Sequence, residues 1–593
     1  MVRKWAGFWL WTLLYAGSLH AVTPPIDAGS VLQQQQQQQR APAAAAPLVP
    51  PLPAASNALS APAEGNAQNT AQIRIKVLGF KLEGTVTAFA PDRLMALLST
   101  ATGKELSLAE LRAVADRITA LYRDAGYFLA RAVLPPQDVT SGTVTVLVLE
   151  GRLDSTDGVR LQPANPSVPL KLDLALARRI VTAPLSPTGA LRLADVERGI
   201  LLLNDLPGVA ASGNLEPGSA PDTTRLVVDI SSTPALNGAV TFDNHGSRYT
   251  SSNRWGAQLS ANNILGLGDQ ASAQLLLSPN GDYRYARLGY SQLADARGLR
   301  LGGTVNSLQY RLGADLAPLD AKGSANVLGL TASYPLLRSR SRNLNLVLLA
   351  DNKRLRNSSL GVETSNKRVR VVTTTLSGDW QDSLGGSLNG GTTLADVSLG
   401  LGQLDLSANP ANLQQDQAPQ GALTQGSFQR LNFGMTRVQR ITPRLNLTAQ
   451  LQGQWARKNL DSSEKFLLGG ANGVRAYPSG EAAGDSGVRA SVDARWLAWR
   501  HASVGALNLQ AFADWGRVKQ MQQPMVGVQT TPNRLTLAGS GVGASLSHAS
   551  GAELRLTWAF KHGSNPGRNP LTGADADGRQ SPHRVWLSLQ ARF

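Results

Sequence analysis

Residues 234–593 alternate between apolar and polar positions with the period of two that is typical of β-strands. From Leu445 to Trp455 the odd positions are apolar or glycine, whereas the even positions are Asn, Thr or Gln. Segments 488–498 and 585–593 alternate in the same way, and turns rich in Gly, Asn, Asp, Ser and Pro separate such segments. Each strand therefore has one apolar face and one face too polar for a protein core.

This pattern predicts an antiparallel transmembrane β-barrel over residues 234–593. A soluble sandwich would bury two apolar faces against each other, whereas a membrane barrel turns its apolar face to lipid and its polar face to a water-filled lumen. Closure also removes unpaired strand edges, which hydrocarbon does not tolerate. With spanning strands of ~9–11 residues, the region has room for about 16 strands, and about 14 or 18 also fit. A soluble all-β domain is the alternative.

The preceding region, residues 73–233, has helical periodicity and predicts two α+β modules. Ser107 and Glu110 form a capping box ahead of apolar positions, which predicts a helix from Ser107 to about Ala125. Strands are predicted at 73–77, 128–134 and Thr143–Leu149. A second set follows, with a weak strand at 159–161, helices at 173–181 and 193–206 and a strand at 226–230. We assign the order strand, helix, helix, strand, strand to both modules, 73–153 and 154–233, which indicates an internal repeat.

The N-terminus predicts export from the cytoplasm. Residues 1–21 combine Arg3 and Lys4 with a short apolar stretch, as in a secretory signal peptide. The stretch is shorter than the ~20 residues that a membrane-spanning helix needs. Residues 22–45 contain the run Gln33–Gln39, which predicts either a short polar helix near 29–40 or a disordered tail. The Ala/Pro-rich segment 46–72 predicts a flexible linker.

The amino-acid composition excludes several kinds of site and partner. The chain has no Cys and 6 His, which excludes disulfides, thiolate chemistry and Cys-based metal sites, so we expect no metal and no cofactor. Lys and Arg outnumber Asp and Glu by 57 to 41, a net charge of +16, which suits nucleic acid, an anionic membrane or an arginine-lined pore. The basic residues are dispersed along strands without a nucleic-acid-binding motif, so we expect no nucleic-acid partner.

The sequence gives only weak evidence for an enzyme active site. The tetrapeptide Gly484-Asp485-Ser486-Gly487 resembles the nucleophile sequence of trypsin-like proteases, and such a triad also needs a His and an Asp. His245 is the only His between the predicted signal and Ser486. The chain also lacks a G-x-x-x-x-G-K-[ST] phosphate loop and an H-E-x-x-H helix. We therefore predict that the protein is not an enzyme.

Several segments carry a resemblance to a known family. They are residues 126–135 (GYFLARAVLP), 149–152 (LEGR), 202–209 (LLNDLPGV), 243–246 (DNHG), 262–263 (NN) and 266–269 (GLGD). With them, the chain resembles the outer-membrane transporters of two-partner secretion (TpsB type), which export haemolysins and filamentous adhesins and belong to the Omp85 superfamily. The resemblance implies a signal, an N-terminal plug helix, a linker, two periplasmic POTRA domains (βααββ) and a 16-stranded barrel in the bacterial outer membrane.

Two barrel motifs carry the sharpest part of this resemblance. Val474-Arg475-Ala476-Tyr477 resembles the VRG(Y/F) tetrad at the tip of an inward-folded loop, with Ala476 in place of the usual Gly, and a methyl group there restricts the backbone. Phe512-Ala513-Asp514-Trp515-Gly516 matches F-x-D-x-G on a later strand, whose alternation turns Phe512 and Asp514 to the lumen. The resemblance implies that Arg475 pairs with Asp514 and pins the loop to the inner wall.

The resemblance also implies the activity and the partners. We expect a pore that recognises a large unfolded exoprotein through the POTRA domains and secretes it without ATP. Phe593 would be the C-terminal signal for the barrel assembly machinery, and the protein would be a monomer in outer-membrane lipid. An insertase for other barrels and a passive porin are the alternatives. An insertase usually has more POTRA modules than two, and a porin has no use for them.

Overall fold

The computed structural model describes residues 26–39, 74–186, 189–220, 222–386, 390–524 and 532–593. The predicted signal peptide (1–21) and linker (46–72) lie outside the described residues. Helix α1 spans Ala28–Gln39, so the glutamine run is helical and the predicted short helix is confirmed. No helix in these described ranges is long and apolar enough to cross a membrane.

The first module contains two helices and five short strands. They are β1 (Arg74–Lys76), β2 (Gly79–Glu83), α2 (Pro91–Ser99), β3 (Glu105–Ser107), α3 (Leu108–Asp124), β4 (Arg131–Val133) and β5 (Thr143–Leu149). Strands β2, β5 and β4 form one sheet in that order, with β2 parallel to β5, and β1 pairs separately with β3. The predicted capping box is present: the Ser107 side chain accepts from the backbone N–H of Glu110, and the Glu110 carboxylate accepts from that of Ser107.

Two strand predictions in this module need correction. The predicted strand 128–134 is a strand only at Arg131–Val133, because the chain first turns through Gly126, whose φ is +89°. The predicted strand 73–77 corresponds to β1, which pairs with β3 and lies outside the three-stranded sheet. The first strand of that sheet is β2, a segment with weaker alternation.

The second module repeats the order of the first. Its elements are β6 (Arg152–Leu153), β7 (Val159–Pro163), α4 (Leu174–Thr182), α5 (Leu193–Asn204), β8 (Val209–Pro217) and β9 (Thr223–Ser232). β9 is central, with β6 and β7 parallel on one side and β8 antiparallel on the other. Apart from the short strands β1, β3 and β6, both modules thus have the order strand, helix, helix, strand, strand, with the first of these strands parallel to the last.

Sixteen antiparallel strands then close into a barrel, in which β10 pairs with β27. The barrel strands are β10 (Leu236–Asp243), β11 (Arg254–Asn262), β12 (Gln270–Leu277), β13 (Tyr283–Leu293), β14 (Arg300–Arg311), β15 (Lys322–Arg338), β16 (Arg342–Ser359), β17 (Val362–Asp382), β18 (Gly391–Asp405), β19 (Gly426–Thr442), β20 (Leu445–Ala456), β23 (Ser486–His501), β24 (Gly505–Lys519), β25 (Arg534–Ser547), β26 (Glu553–His562) and β27 (His583–Arg592). A hairpin of β21 (Phe466–Leu467) and β22 (Ala483–Gly484) lies between β20 and β23, and helix α6 (Pro410–Gln417) follows β18. The predicted barrel of about 16 strands is confirmed.

The barrel strands turn their apolar faces outward. On β24, the outward side chain of Trp515 is 42% exposed, whereas Phe512 and Asp514 point inward and are 6% and 3% exposed. The predicted assignment of faces on this strand is confirmed. The apolar exterior has the character of a lipid-facing surface.

The second module contacts one end of the barrel, which we call the module end; the opposite end is the distal end. Arg338, at the end of β15, forms an ion pair of 2.7 Å with Asp205, and Arg340 pairs with Glu197 at 3.1 Å. Arg198 also donates to the carbonyl oxygen of Pro335 at 2.8 Å. These contacts fix the module to the strand turns of the barrel.

Candidate loop anchor and pore helix

Residues 457–485, which we call the inward loop, connect β20 to β23 at the distal end and fold back into the barrel. At the loop tip, Val474, Ala476 and Tyr477 have no exposed surface and pack among inward apolar side chains of β24, β25 and β26. The tip is therefore a buried part of the barrel interior.

Arg475, at this tip, lies against Asp514 on β24. Its Nε and Nη2 atoms donate to the two carboxylate oxygens of Asp514 at 2.8 and 2.6 Å, which is the bidentate geometry that only arginine provides. The backbone N–H of Arg475 donates to the same carboxylate at 3.0 Å. Asp514 is 3% exposed and also accepts from the hydroxyl of Ser491 on β23 at 2.7 Å, so Arg475 supplies the ion pair for a buried carboxylate.

Sequence reasoning missed two further partners of Arg475, both on β23. Its Nη1 atom donates to Asp493 at 2.8 Å, and its Nη2 atom donates to the hydroxyl of Ser491 at 2.9 Å. Both residues belong to the polar face of the alternating segment 488–498, so their inward orientation could be read from the sequence. Their distance from the loop tip could not, because it depends on how the loop folds back.

Other members of the two motifs bring the loop close to the wall. The Arg475 guanidinium lies 3.5 Å from the centre of the Phe512 ring, a cation–π contact. Gly516 has no side chain where Leu468 of the loop packs: a Cβ there would lie 2.7 Å from its Cδ2. Ala476 does not have a positive φ and packs over Gly539, so its methyl group is accommodated without strain in place of the family's Gly.

The base of the inward loop is held by buried ion pairs. Glu464 accepts from Lys353 on β16 at 2.6 Å and lies 2.9 Å from Arg430 on β19, and Glu464 is 1% exposed. Lys465 pairs with Asp485 at 2.5 Å. Removing one partner of a buried pair is costly, so these contacts make the loop base a rigid part of the barrel.

Helix α1 lies inside the barrel, between the inward loop and the strands. Its glutamine side chains donate to loop carbonyl oxygens, from Gln33 to Lys465 at 2.8 Å and from Gln37 to Leu467 at 3.0 Å. Gln35 accepts from the Tyr283 hydroxyl at 2.8 Å. The amides of the run thus satisfy polar groups of the lumen, which explains how a low-complexity sequence can pack.

The first turn of α1 also has an apolar face, which the sequence did not indicate. Val31 and Leu32 are 6% and 1% exposed and pack in one cluster with inward residues such as Leu308, Tyr310 and Val369. The lumen was predicted to be polar, and beside α1 this is wrong. The apolar strip is tolerated because the helix covers it.

An ion triad fixes the N-terminal end of α1 at the distal end of the barrel. Lys367 on β17 lies 3.0 Å from Asp27 and 2.7 Å from Asp461 of the inward loop. The hydroxyl of Ser462 donates to Asp27 at 2.8 Å, and the backbone N–H of Ala28 donates to Asn357 at 2.8 Å. The N-terminal end of the helix is therefore fastened at the distal end of the barrel.

The protease-like tetrapeptide 484–487 and the C-terminal Phe593, also singled out in the sequence, both make structural contacts. The hydroxyl of Ser486 accepts from the backbone N–H of Ala456 at 3.0 Å, and the Asp485 carboxylate is held by Lys465, so the protease-like tetrapeptide is part of the loop base. Phe593 extends the pairing of β27 with β10 through two backbone hydrogen bonds to Gly238, of 2.9 and 3.0 Å. Its ring is 74% exposed on the outer surface.

A closed 16-stranded barrel with an inward loop and two α+β modules at one end defines the class of outer-membrane transporters with POTRA domains. Residues 222–546, more than half of the chain, match the family model described as haemolysin secretion/activation protein ShlB/FhaC/HecB. Residues 75–151 match the POTRA domain of ShlB type. The chain belongs to this family of two-partner secretion transporters; its barrel lies in the outer membrane and its POTRA domains in the periplasm.

Related proteins agree with this assignment. The heme/hemopexin transporter protein HuxB of Haemophilus influenzae is 29% identical over 504 residues, which cover 85% of this chain and 84% of HuxB. The outer membrane transporter CdiB of Escherichia coli is 24% identical over 492 residues, covering 79% and 76%. The solved structure of CdiB from Escherichia coli has the same fold, with a TM-score of 0.71 at 20% identity over 96% of this chain and 99% of that one. The family consists of transporters rather than enzymes.

Proposed function

We propose that this chain exports one large partner protein, which reaches the periplasm unfolded and is recognised there by the two POTRA domains. The partner would pass through the barrel from the module end to the distal end, which faces the outside of the cell. The sheets of both modules have free edges, at β4 and at β8, where an extended segment could add a strand. HuxB is named as a heme/hemopexin transporter and CdiB only as an outer membrane transporter. We therefore propose the class of the exported protein and not its identity.

The observation that carries this proposal is a helix that lies inside the barrel and is not part of its wall. Helix α1 is held by side-chain contacts and ion pairs, not by strand pairing, so it can leave without opening the barrel. A pore for small solutes does not need a removable plug and two periplasmic domains. An insertase for other barrels needs no plug in its lumen, so export accounts best for α1.

Release of α1 leaves the Lys367 charge compensated. When Asp27 departs, Asp461 remains 2.7 Å from the lysine, so the opened state has no isolated buried charge. The apolar strip beside α1 would then contact the passing chain. No enzymatic step or ATP is needed, because folding of the partner outside the cell withdraws it from the threaded state.

The remaining roles are proposed on the same grounds. Arg475 with Asp514, and with Val474, Ala476, Tyr477, Phe512 and Gly516 around them, anchors the inward loop to the wall during transport. The last strand and Phe593 serve recognition by the barrel assembly machinery, and the protein acts as a monomer. We propose domain limits of 22–45 for the plug region, 73–153 and 154–233 for the POTRA domains and 234–593 for the barrel.

A reversible tether of α1 tests the central step. A Cβ at Gly29 would overlap the hydroxyl of Ser462 and lie 2.9 Å from the backbone nitrogen of Ser463, so α1 must shift slightly to accept a side chain there. The double substitution Gly29→Cys and Ser462→Cys then places two thiols within disulfide reach in a chain that has no other Cys. In the native host, we expect the oxidised double variant to assemble but to lose export of its partner, and reduction to restore it. The two single variants should export normally. Normal export with the tether closed would refute displacement of α1.

A further inference from the structure

The outer surface of the barrel carries an unusual group of arginines at the distal end of β16 and β17. Arg354 and Arg356 alternate with the buried inward residues Lys353 and Leu355, so they face outward, away from the lumen. On β17, Arg368 and Arg370 face outward by the same rule, beside the inward Val369 and Val371. We call these four arginines the basic patch.

The basic patch places like charges against each other. Arg354 and Arg368 are directly opposite in the strand register, which sets their Cβ atoms about 5 Å apart and is destabilising for equal charges. Within the described part of the chain, no carboxylate oxygen lies within 4.0 Å of a guanidinium nitrogen of these four residues. Asp405, opposite Arg368, accepts from the backbone N–H of Ser407 at 3.0 Å, and its charge still attracts Arg368 and Arg370 from beyond 4.0 Å. One carboxylate therefore faces four arginines. The arrangement calls for an anion from outside the chain.

Two grooves adjoin the basic patch, one with further basic side chains and one with a mostly apolar lining. One groove of about 600 Å³ lies beside Arg356 and is lined also by Arg284 and Lys322, against two carboxylates, Asp282 and Glu363. A second groove, also about 600 Å³, lies toward the membrane centre. Arg370 borders it, and most of its lining surface is apolar. The lining residues include Leu328, Leu330, Val372, Leu401 and Phe428, together with the polar Asp351, Asn352 and Gln403.

The position of the patch differs from the rest of the rim. On several other strands an aromatic side chain faces outward toward the distal end, as for Trp255 on β11, Trp455 on β20 and Trp558 on β26, each about half exposed, which is typical of a membrane interface. Outward arginines also occur at this end on β13, β14 and β24, one on each strand, whereas β16 and β17 together carry four. On β16 and β17 the arginines occupy this level, and Val372 directly below Arg370 begins the apolar band. The patch therefore lies where lipid headgroups meet acyl chains.

We propose that the basic patch binds a phosphorylated glycolipid of the outer leaflet, a lipopolysaccharide. Its phosphate groups would insert between Arg354 and Arg368 and reach Arg356 and Arg370, because arginine binds phosphate through two parallel N–H groups and an added anion cancels the repulsion between facing arginines. An acyl chain would lie in the apolar groove below. The site is independent of the proposed export activity.

Binding of lipid A to the purified full-length protein in detergent tests the proposal. The probes are fluorescent diphosphoryl lipid A and the same lipid after removal of its phosphates. We expect the wild type to bind the diphosphoryl form about tenfold more tightly, a difference of about 1.4 kcal/mol. The variant Arg354→Gln with Arg368→Gln should lose this preference.

A matched control removes two exposed arginines at the opposite end of the barrel. Arg342 and Arg500 lie at the module ends of β16 and β23, so Arg342→Gln with Arg500→Gln changes the net charge equally and should keep the preference. Arg356→Gln with Arg370→Gln is the second test variant if the first does not assemble. Equal binding of both lipids by the wild type, or an unchanged preference in the assembled patch variants, would overturn the proposal.

Discussion

Removing the Arg475 side chain should release the inward loop from the barrel wall. Arg475 makes five side-chain hydrogen bonds of 2.6–3.3 Å, to Asp514, Asp493 and Ser491, and its guanidinium covers the Phe512 ring. Its side chain is 13% exposed and that of Asp514 is 1% exposed. Because loss of one partner from a buried pair costs about 3–5 kcal/mol, we expect Arg475→Ala to raise the open fraction of the loop by about a hundredfold or more.

The assay uses the absence of native Cys. A single Val474→Cys substitution places a thiol at the loop tip, where the valine has no exposed surface, and its reaction rate with a maleimide in outer-membrane vesicles measures opening of the tip. We expect Arg475→Lys to accelerate labelling about tenfold, because lysine keeps the positive charge but cannot donate two parallel hydrogen bonds to one carboxylate.

Arg517→Lys, on the outward face of β24, is the control and should label at the wild-type rate. The reasoning is refuted if Arg475→Ala labels as slowly as that control while the barrel remains folded, as judged by heat-modifiable migration on gels.

Three further results are expected. Lys367→Met leaves Asp27 and Asp461 facing each other without a cation, so α1 should leave more often and the mean conductance in planar bilayers should rise; an unchanged conductance contradicts the triad's role. Gly539→Val places a Cβ 2.6 Å from that of Ala476, so it should displace the loop tip and increase maleimide labelling of Val474→Cys, whereas unchanged labelling would contradict the packing. Burial raises the pKa of Glu150, but hydrogen bonds from neighbouring side-chain and backbone donors outweigh burial and hold its pKa below the usual 4.5. The stabilisation of the folded domain by charged Glu150 is therefore present above pH 4.5 and is lost as the pH falls through the lowered pKa. Protease resistance of the first POTRA domain should be constant from pH 8 to 5 and should decrease below pH 4.5. The Glu150→Gln variant should be less resistant to protease throughout the range from pH 8 to 5.

Strand alternation predicted the barrel and its faces because the period-two pattern is local and one side of each strand meets lipid. Trp515 and Asp514 show this directly, since neighbours in sequence lie on opposite surfaces. The capping box of Ser107 and Glu110 likewise predicted the start of α3 within one residue, because its hydrogen bonds join residues three positions apart.

Contacts that depend on loop folding could not be predicted in this way. The pairing of Glu464 with Lys353 joins residues 111 positions apart, and neither residue belongs to a local motif. The site of α1 was equally hidden, because a run of identical glutamines does not distinguish one helix face from another. Only Ala28, Val31 and Leu32, at the start of the helix, give it an apolar face, and three positions within five residues are too few to define a periodic pattern.

Quantitative proteomics after deletion of this chain in its native host tests export most directly. Surface, culture supernatant and periplasm would be compared between the deletion strain, the same strain complemented with the wild type, and the strain complemented with the oxidised Gly29→Cys, Ser462→Cys variant. Export predicts that one very large protein disappears from the surface and supernatant, with its fragments in the periplasm, and returns only with the wild-type copy. A joint decrease of many outer-membrane barrels, or no change in any secreted protein, would contradict it.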